Sequence, residues 1–458
     1  MNILRLTESQ HQQLKRHLFS GDGKESISIA LCGRLSTKER SVLCVNEIVD
    51  IDDSACSERS PVRVTWDPSL GYKLYDKAAS KNMAVLKIHC HPGGLNSFSA
   101  IDDHSDAELF ESLHSWTDGK EPHASAVMLP SGEMFGRFID HNGDFTVIDR
   151  IVVAGDEILI FDSNKSSLFS EVQTRTAQVF GEKTINVLSR LKIGVVGCSG
   201  TGSWVIEQLA RLSIGHLLLV DPDIVEEKNL NRIVNSTSKQ AQEQTPKVLG
   251  IADVLQSHGT KTTVTPICKS LFDNSTARSL ASCDVLFGCM DSIEGRDTLN
   301  RIAAFYSIPY FDLGVRIDAD GMGGVKNISA VVNYLIPDGS SLLSRGLYTG
   351  ESLRVDSLRR TNPSQYDQEV KEGYIKGAKV SSPAVISVNG LCATSAINEL
   401  LARVHPFRAS DMSEERVQQF DLVNNFWMSL KDGAPCSDLS RYTGRGDMKP
   451  FLNQVTYD

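Results

Sequence analysis

No run of the roughly 20 apolar residues that a membrane-spanning helix needs occurs in the 458-residue chain. Residues 1–16 are polar and lack the apolar core of a secretory signal. The chain is therefore expected to be cytoplasmic, with no membrane partner. An excess of basic residues is missing too: 47 Lys and Arg stand against 57 Asp and Glu, a formal net charge of −10, which argues against nucleic acid as a partner. The ten cysteines include no CxxC pair, which argues against a four-cysteine structural zinc site. Several of them (Cys32, Cys283, Cys289) fall inside apolar stretches and read as reduced small hydrophobes, not as a disulfide framework.

What is present is enough chain for two or three domains, carrying two clusters of chemistry. In the first, Ile27, Ile29 and Leu31 alternate with smaller residues, which predicts a half-buried strand with Glu25 at its mouth. A second strand, Ala84 to Ile88, runs into His89-Cys90-His91-Pro92, and six residues later comes Ser99-Ala100-Ile101-Asp102. Residues two apart on a strand face the same way, so His89 and His91 can grip one metal ion. Asp102, at the start of a new helix, can return its carboxylate to them. Two His and one carboxylate leave a fourth zinc position open, as catalytic sites do. The plainer reading of Ser99-x-x-Asp102 is a helix N-cap. Asp103, His104 and Asp106 read as solvated helix residues, not ligands.

The full string HxHP-x6-SxxD resembles that of the JAMM (MPN-type) metalloproteases, which remove ubiquitin or ubiquitin-like proteins; the resemblance covers roughly residues 1–150 of an expected domain 1–165. It implies an α/β protease domain in which His89, His91 and Asp102 bind zinc, Ser99 helps stabilise the oxyanion and Glu25 shuttles the proton. The polar run from Asp162 to Ser167 predicts a domain boundary.

In the second cluster, the apolar strand Leu191 to Val196 ends in Gly197-Cys198-Ser199-Gly200-Thr201-Gly202, followed by a helix with Val205 and Leu209 on one face. Such a turn brings backbone N–H groups close to a phosphate. Later predicted strands end at Asp221, near Asp291 and at Asp312, and ligands of open α/β sheets bind at strand carboxyl ends. Asp221 is placed for a ribose. Arg232 and Lys247 would neutralise a triphosphate and Asp291 would carry Mg²⁺; each cation taken alone is more simply a solvated charge.

Residues 170–404 resemble the Rossmann-like adenylation domain shared by ThiF/MoeB-type and ubiquitin-activating enzymes. The matching residues are the G-x-x-G-x-G-S loop, Asp221-x-Asp223, Asn229-Leu230-x-Arg232, Pro246-Lys247 and Met290-Asp291. The resemblance implies ATP on Gly197, Gly200, Gly202 and Asp221, phosphates on Asn229, Arg232 and Lys247, and magnesium on Asp291. Arg175 would reach into the neighbouring subunit's site, implying a homodimer. Ser199 replaces a usual glycine, tolerable if its φ is negative. The implied partners are a ubiquitin-like protein and a ubiquitin-conjugating-enzyme-like acceptor.

The expected whole is an α/β chain that cleaves ubiquitin-like precursors or conjugates and adenylates the exposed carboxylate. No cysteine lies between Arg316 and Pro383, where activating enzymes carry the acceptor thiol. Cys392 reads as packed, and Cys436 is the better candidate for a reactive thiol. The insertion 336–379 is read either as closing over the partner's tail or as disordered, and residues 405–458 as an extension without an assigned role. Activation of a sulfur-carrier protein, an NAD(P)-binding oxidoreductase and a non-catalytic scaffold are the rival readings.

Overall fold

The computed structural model describes residues 1–372, 374–375 and 383–453. Two compact units result. The first holds Met1–Ser166, Ala304–Ser307 and the described residues from Arg441 on; the second holds Ser167–Ala303 and Ile308–Ser440. Among the described residues no helix is long and apolar enough to cross a membrane.

The first unit begins with β1 (Asn2–Thr7), α1 (Glu8–Leu18), β2 (Ile27–Ser36), β3 (Ser41–Asp50) and the hairpin β4 (Cys56–Ser60) and β5 (Arg63–Trp66). There follow α2 (Tyr72–Lys81), β6 (Ala84–Cys90), α3 (Ala100–Thr117) and β7 (His123–Met128). The strands β8 (Met134–Ile139), β9 (Phe145–Val147), β10 (Arg150–Ala154) and β11 (Ile158–Asp162) complete it. Apart from the β4–β5 hairpin, the strands form one sheet in the order β11-β10-β1-β3-β2-β6-β7-β8-β9.

Period-2 alternation assigns its faces. Ala30 and Cys32 of β2 and Leu86, Ile88 and Cys90 of β6 join Leu14 and Leu18 of α1 in one core. Ile27, Ile29, Leu31 and Val85 join Leu74 of α2 and Phe110 and Leu113 of α3 in the other. All seven residues of β6 are buried, and its odd-numbered side chains point toward α3. The register pairs Ile27 with His89, so the end of β6 emerges beside the mouth of β2.

The described tail closes against this unit. Gly33 N–H donates to Gly444 O at 3.1 Å, and Asp447 N–H to Arg34 O at 2.8 Å. A Cβ on Gly444, whose φ is +70°, would stand 1.9 Å from Val45 O, so the approach requires glycine.

The second unit runs α4 (Thr174–Leu188), β12 (Lys192–Val196), α5 (Gly200–Arg211), β13 (His216–Val220), α6 (Ser238–Gln242), α7 (Lys247–Gln256) and β14 (Thr263–Ile267). It continues with α8 (Asn274–Ala281), β15 (Val285–Gly288), α9 (Ile293–Phe305), β16 (Tyr310–Ala319) and β17 (Val325–Leu335). Last come α10 (Gly350–Thr361), α11 (Pro363–Lys371), α12 (Ile386–Val404), β18 (Val417–Asp421) and β19 (Phe426–Leu430). The sheet order is β14-β13-β12-β15-β16-β17-β18-β19. Its first five strands are parallel, with an antiparallel extension from β17 on.

The insertion carries two helices, α10 and α11, after a stretch of turns over 336–349, which corrects the alternative of disorder for that part; its residues 373 and 376–379 lie outside the described residues. The stretch after residue 404 is divided, because β18 and β19 complete the second sheet while residues from 441 belong to the first unit.

Candidate functional site

In the first unit, β6 carries His89 and His91 out on one face, and α3 brings Asp102 back to them. His89 Nε2 lies 3.0 Å from Asp102 Oδ1, His91 Nε2 3.4 Å from Asp102 Oδ2, and the two Nε2 atoms 3.2 Å apart. Donors held 2.0–2.1 Å from one tetrahedral zinc stand about 3.3 Å apart, so the three edges fit that ion. His91 Nδ1 lies 2.7 Å from Leu95 O; donation there leaves Nε2 as the free ligand atom. His89, His91 and Asp102 are the group able to hold a metal among the described residues.

The two readings of Ser99-x-x-Asp102 prove compatible. Asp102 Oδ2 accepts from Ser99 N at 2.7 Å and from Ser99 Oγ at 2.8 Å, and Asp102 N–H donates to Ser99 Oγ at 3.2 Å. This capping box opens α3, and it also fixes the carboxylate that faces the imidazoles. Burial opposes ionisation of Asp102, but hydrogen bonds from His89 and His91 outweigh it and hold the carboxyl well below its usual range. Glu25 is buried at the mouth of β2. Burial pushes its carboxyl up to about 7, with the His91 charge pulling down and the Asp102 carboxylate pushing up.

Asp106, expected to be solvated, is instead fully buried between Lys87 and Arg137. Its partners come from two different strands, and no local pattern announces them. His104 is exposed as expected.

In the second unit the glycine turn links β12 to α5. Gly197 has φ +88°, and a Cβ there would stand 2.6 Å from Cys289 O; one on Gly202 would stand 1.8 Å from Gly197 O. Both positions exclude a side chain. Ser199 has φ −97°, so the departure from glycine is tolerated. Cys198 N–H donates to Asp221 Oδ2 at 2.7 Å, tying the turn to the end of β13. Lys247 Nζ lies 4.0 Å from Asp221 Oδ1 and 2.7 Å from Asp223 Oδ2. Burial raises the Asp221 carboxyl, opposed by the Lys247 charge. The Arg232 Cδ stands 3.5 Å from where a Cβ of Gly200 would be.

Gly197, Gly200, Gly202, Asp221, Arg232 and Lys247 are thus gathered at one end of the sheet. Asn229 is buried, and its side chain accepts from Glu226 N–H at 3.0 Å. Asp291 is exposed just beyond β15, two residues after Cys289. Arg175 is exposed and bonds Gln178 on its own helix at 3.3 Å.

Sequence reasoning missed Asn389 of α12, whose Nδ2 would stand 2.2 Å from a Cβ on Gly200 and whose Oδ1 accepts from Thr201 Oγ1 at 3.3 Å. A polar residue entering an apolar helix was the available signal. It also missed a cavity of about 730 Å³ on the face of β16 to β19, where Gly314, Val331, Gln419 and Met428 share the floor. Cys436 and Cys392 are both buried, which overturns Cys436 as an accessible thiol and agrees with Cys392 as packed. Cys268, just after β14, is exposed.

A model of the ThiF family matches residues 172–439. The SAMP-activating enzyme E1 of Haloferax volcanii is 27% identical over 148 residues, 32% of this chain and 50% of that protein. A ubiquitin-like modifier-activating enzyme 5 of Oryza sativa subsp. japonica is 29% identical over 155 residues, 32% of this chain and 35% of that one. A solved structure of Escherichia coli MccB with MccA-N7isoASN has a TM-score of 0.47 at 16% identity, covering 59% of this chain and 75% of that one. The chain spans half or less of the length of these curated relatives.

Proposed function

Because the chain belongs to the ThiF family, we propose that its second unit adenylates the C-terminal carboxylate of a ubiquitin-like protein with ATP and Mg²⁺. The observation that carries this reading is the convergence of Asp221, Lys247 and Arg232 on the glycine turn. The carboxylate attacks the α-phosphorus, the bond to the β-phosphate breaks, and pyrophosphate leaves an acyl-adenylate behind. Asp221 holds the ribose, and the first N–H groups of α5 face the phosphates. Asn229, Arg232 and Lys247 meet charge that builds in the transition state, with Mg²⁺ on Asp291. Arg175, exposed on α4, serves the neighbouring subunit of a homodimer. The tail of the protein substrate lies along the cavity on β16 to β19. ATP–pyrophosphate exchange that depends on a ubiquitin-like protein tests this, and exchange at the wild-type rate in Asp291→Ala would sink the magnesium assignment.

The first unit, on this proposal, is a JAMM-type peptidase that trims the same protein's tail or undoes its conjugates. Its support is the ligand triangle of His89, His91 and Asp102, with edges of 3.0–3.4 Å. A zinc ion held there supplies Lewis acidity that polarises a carbonyl and acidifies water. Glu25 takes the proton of the attacking water and returns it to the leaving nitrogen, and Ser99 Oγ steadies the oxyanion. Chelation is expected to stop cleavage and spare pyrophosphate exchange. Equal loss of both would refute two independent sites.

Burial of Cys392 and Cys436 favours, as a second reading of the adenylate's fate, transfer of sulfur to a carrier protein over a thioester on either of these two cysteines. Intact-mass analysis after incubation with ATP, Mg²⁺ and the ubiquitin-like proteins of the host separates the two. A reductant-sensitive adduct marks a thioester on the enzyme, whereas free adenylate supports the sulfur route or an acceptor on another protein.

A further inference from the structure

The stripe by which α3 meets the sheet is Asp102, Asp106, Phe110 and Leu113. Only its second half is apolar, so the half that carries the metal ligand is held by charge. Lys87 precedes His89 by two residues on β6 and shares its face; Asp106 follows Asp102 by four on α3 and shares its face. Lys87 Nζ lies 2.7 Å from Asp106 Oδ1, while Arg137 of β8 reaches Asp106 Oδ2 with Nη2 at 2.8 Å and Nε at 3.1 Å. Asp106 is fully buried, and Lys87 and Arg137 are 4% and 6% exposed.

Arg137 extends the network toward the ligand loop. Its Nη1 lies 2.5 Å from Asp103 Oδ1, and its guanidinium sits 3.8 Å from the Phe98 ring and 3.9 Å from the Phe145 ring. Phe98 directly precedes the helix cap Ser99, whose hydroxyl bonds Asp102.

We propose that Lys87, Asp106 and Arg137 are positioning residues that set the register of α3 against β6, and thereby hold Asp102 within metal-ligand distance of His89 and His91. A slip of α3 by a single residue moves a side chain about 1.5 Å along the axis and turns it to another face, enough to open the ligand triangle. The capping box fixes Asp102 within its own helix but does not fix that helix to the sheet. The Lys87–Asp106 contact does, one helical turn further in, and the two-pronged grip of Arg137 adds direction. The inference rests on the metalloprotease reading of the first unit.

Zinc affinity of the full chain, measured by competition with a chromogenic chelator, tests it together with the visible spectrum of the Co²⁺-loaded protein. Lys87→Met and Asp106→Asn are each expected to weaken zinc binding at least about tenfold and to alter the Co²⁺ bands. Arg137→Lys, which keeps the charge and loses the fork, weakens it by a smaller factor. Breaking a buried ion network also destabilises the fold, so the triple variant Lys87→Met/Asp106→Leu/Arg137→Met supplies an apolar replacement. Recovery of its melting temperature with zinc binding still at least about tenfold weaker supports a positioning role. Wild-type affinity and spectrum in Arg137→Lys and the triple variant overturn it. If the wild-type chain takes up no zinc, the metalloprotease reading itself falls.

Discussion

At the scale of single residues, Glu25 and Lys247 are the groups whose removal separates chemistry from architecture. Glu25 donates no ligand atom to the His89, His91 and Asp102 group. Glu25→Gln is therefore expected to retain one zinc per chain, read by metal analysis, while cleavage falls by roughly 10²–10⁴-fold. Lys247→Ala removes the cation that stands beside Asp221, and exchange is expected to fall by about 10²–10³-fold, as when one preorganised donor is lost from a transition-state site. The residues behind both expectations were legible because each belongs to a short string in which spacing and chemistry coincide. His89 and His91 are two apart on a strand that Pro92 ends. Asp106 and Asn389 were not legible, because what makes each of them matter comes from elements far away in sequence: Lys87 and Arg137 for one, Gly200 and Thr201 for the other.

Among the elements, α3 shows how a cap and a site share the same atoms. Ser99→Ala removes the hydroxyl that accepts from Asp102 N–H and is expected to cost about 1 kcal/mol in urea unfolding. Farther along the helix, Phe110 is fully buried, and Phe110→Ala is expected to cost roughly 3–5 kcal/mol. The strand beside it contributes a pH dependence. His123 of β7 accepts from Val85 N–H through Nδ1 at 2.9 Å, and burial lowers its pKa well below the ordinary 6.5, helped by the charge of Arg34. The folded state thus favours neutral His123 while the unfolded chain protonates below about 6.5. The stabilisation is complete above that pH and is lost as the pH falls through it toward the folded value. Urea midpoints are expected to drop between about pH 7.5 and pH 5.5 in the wild type, and to drop less in His123→Asn. Elements were legible where the apolar pattern was strong: the expected strand Leu191–Val196 is Lys192–Val196 in the structure. The helices α10 and α11 were obscured because neither buries a residue, so no apolar stripe marked them.

On the scale of the whole molecule, the sequence divides at residues 162–167 much as the two units do, but the tail does not follow chain order. Gly444-Arg445-Gly446-Asp447 reads as a turn, and nothing local to it says that Gly33 and Arg34 wait some 400 residues upstream. Phe451 and Leu452 are buried in the same segment, each expected to contribute roughly 1.5–3 kcal/mol. A chain ending at Ser440 is therefore expected to melt earlier, with faster hydrogen exchange in β2 and β3; unchanged exchange there would show that the tail is dispensable. The order of assembly follows from the same closure. The ribosome makes the bulk of the first unit before the second, yet makes the strap that finishes it only after the second. At about 5–20 residues per second, the nascent chain spends roughly 15–60 s between those two events. The first unit is begun first and finished last, so its sheet stands without its strap for as long as the second unit takes to emerge.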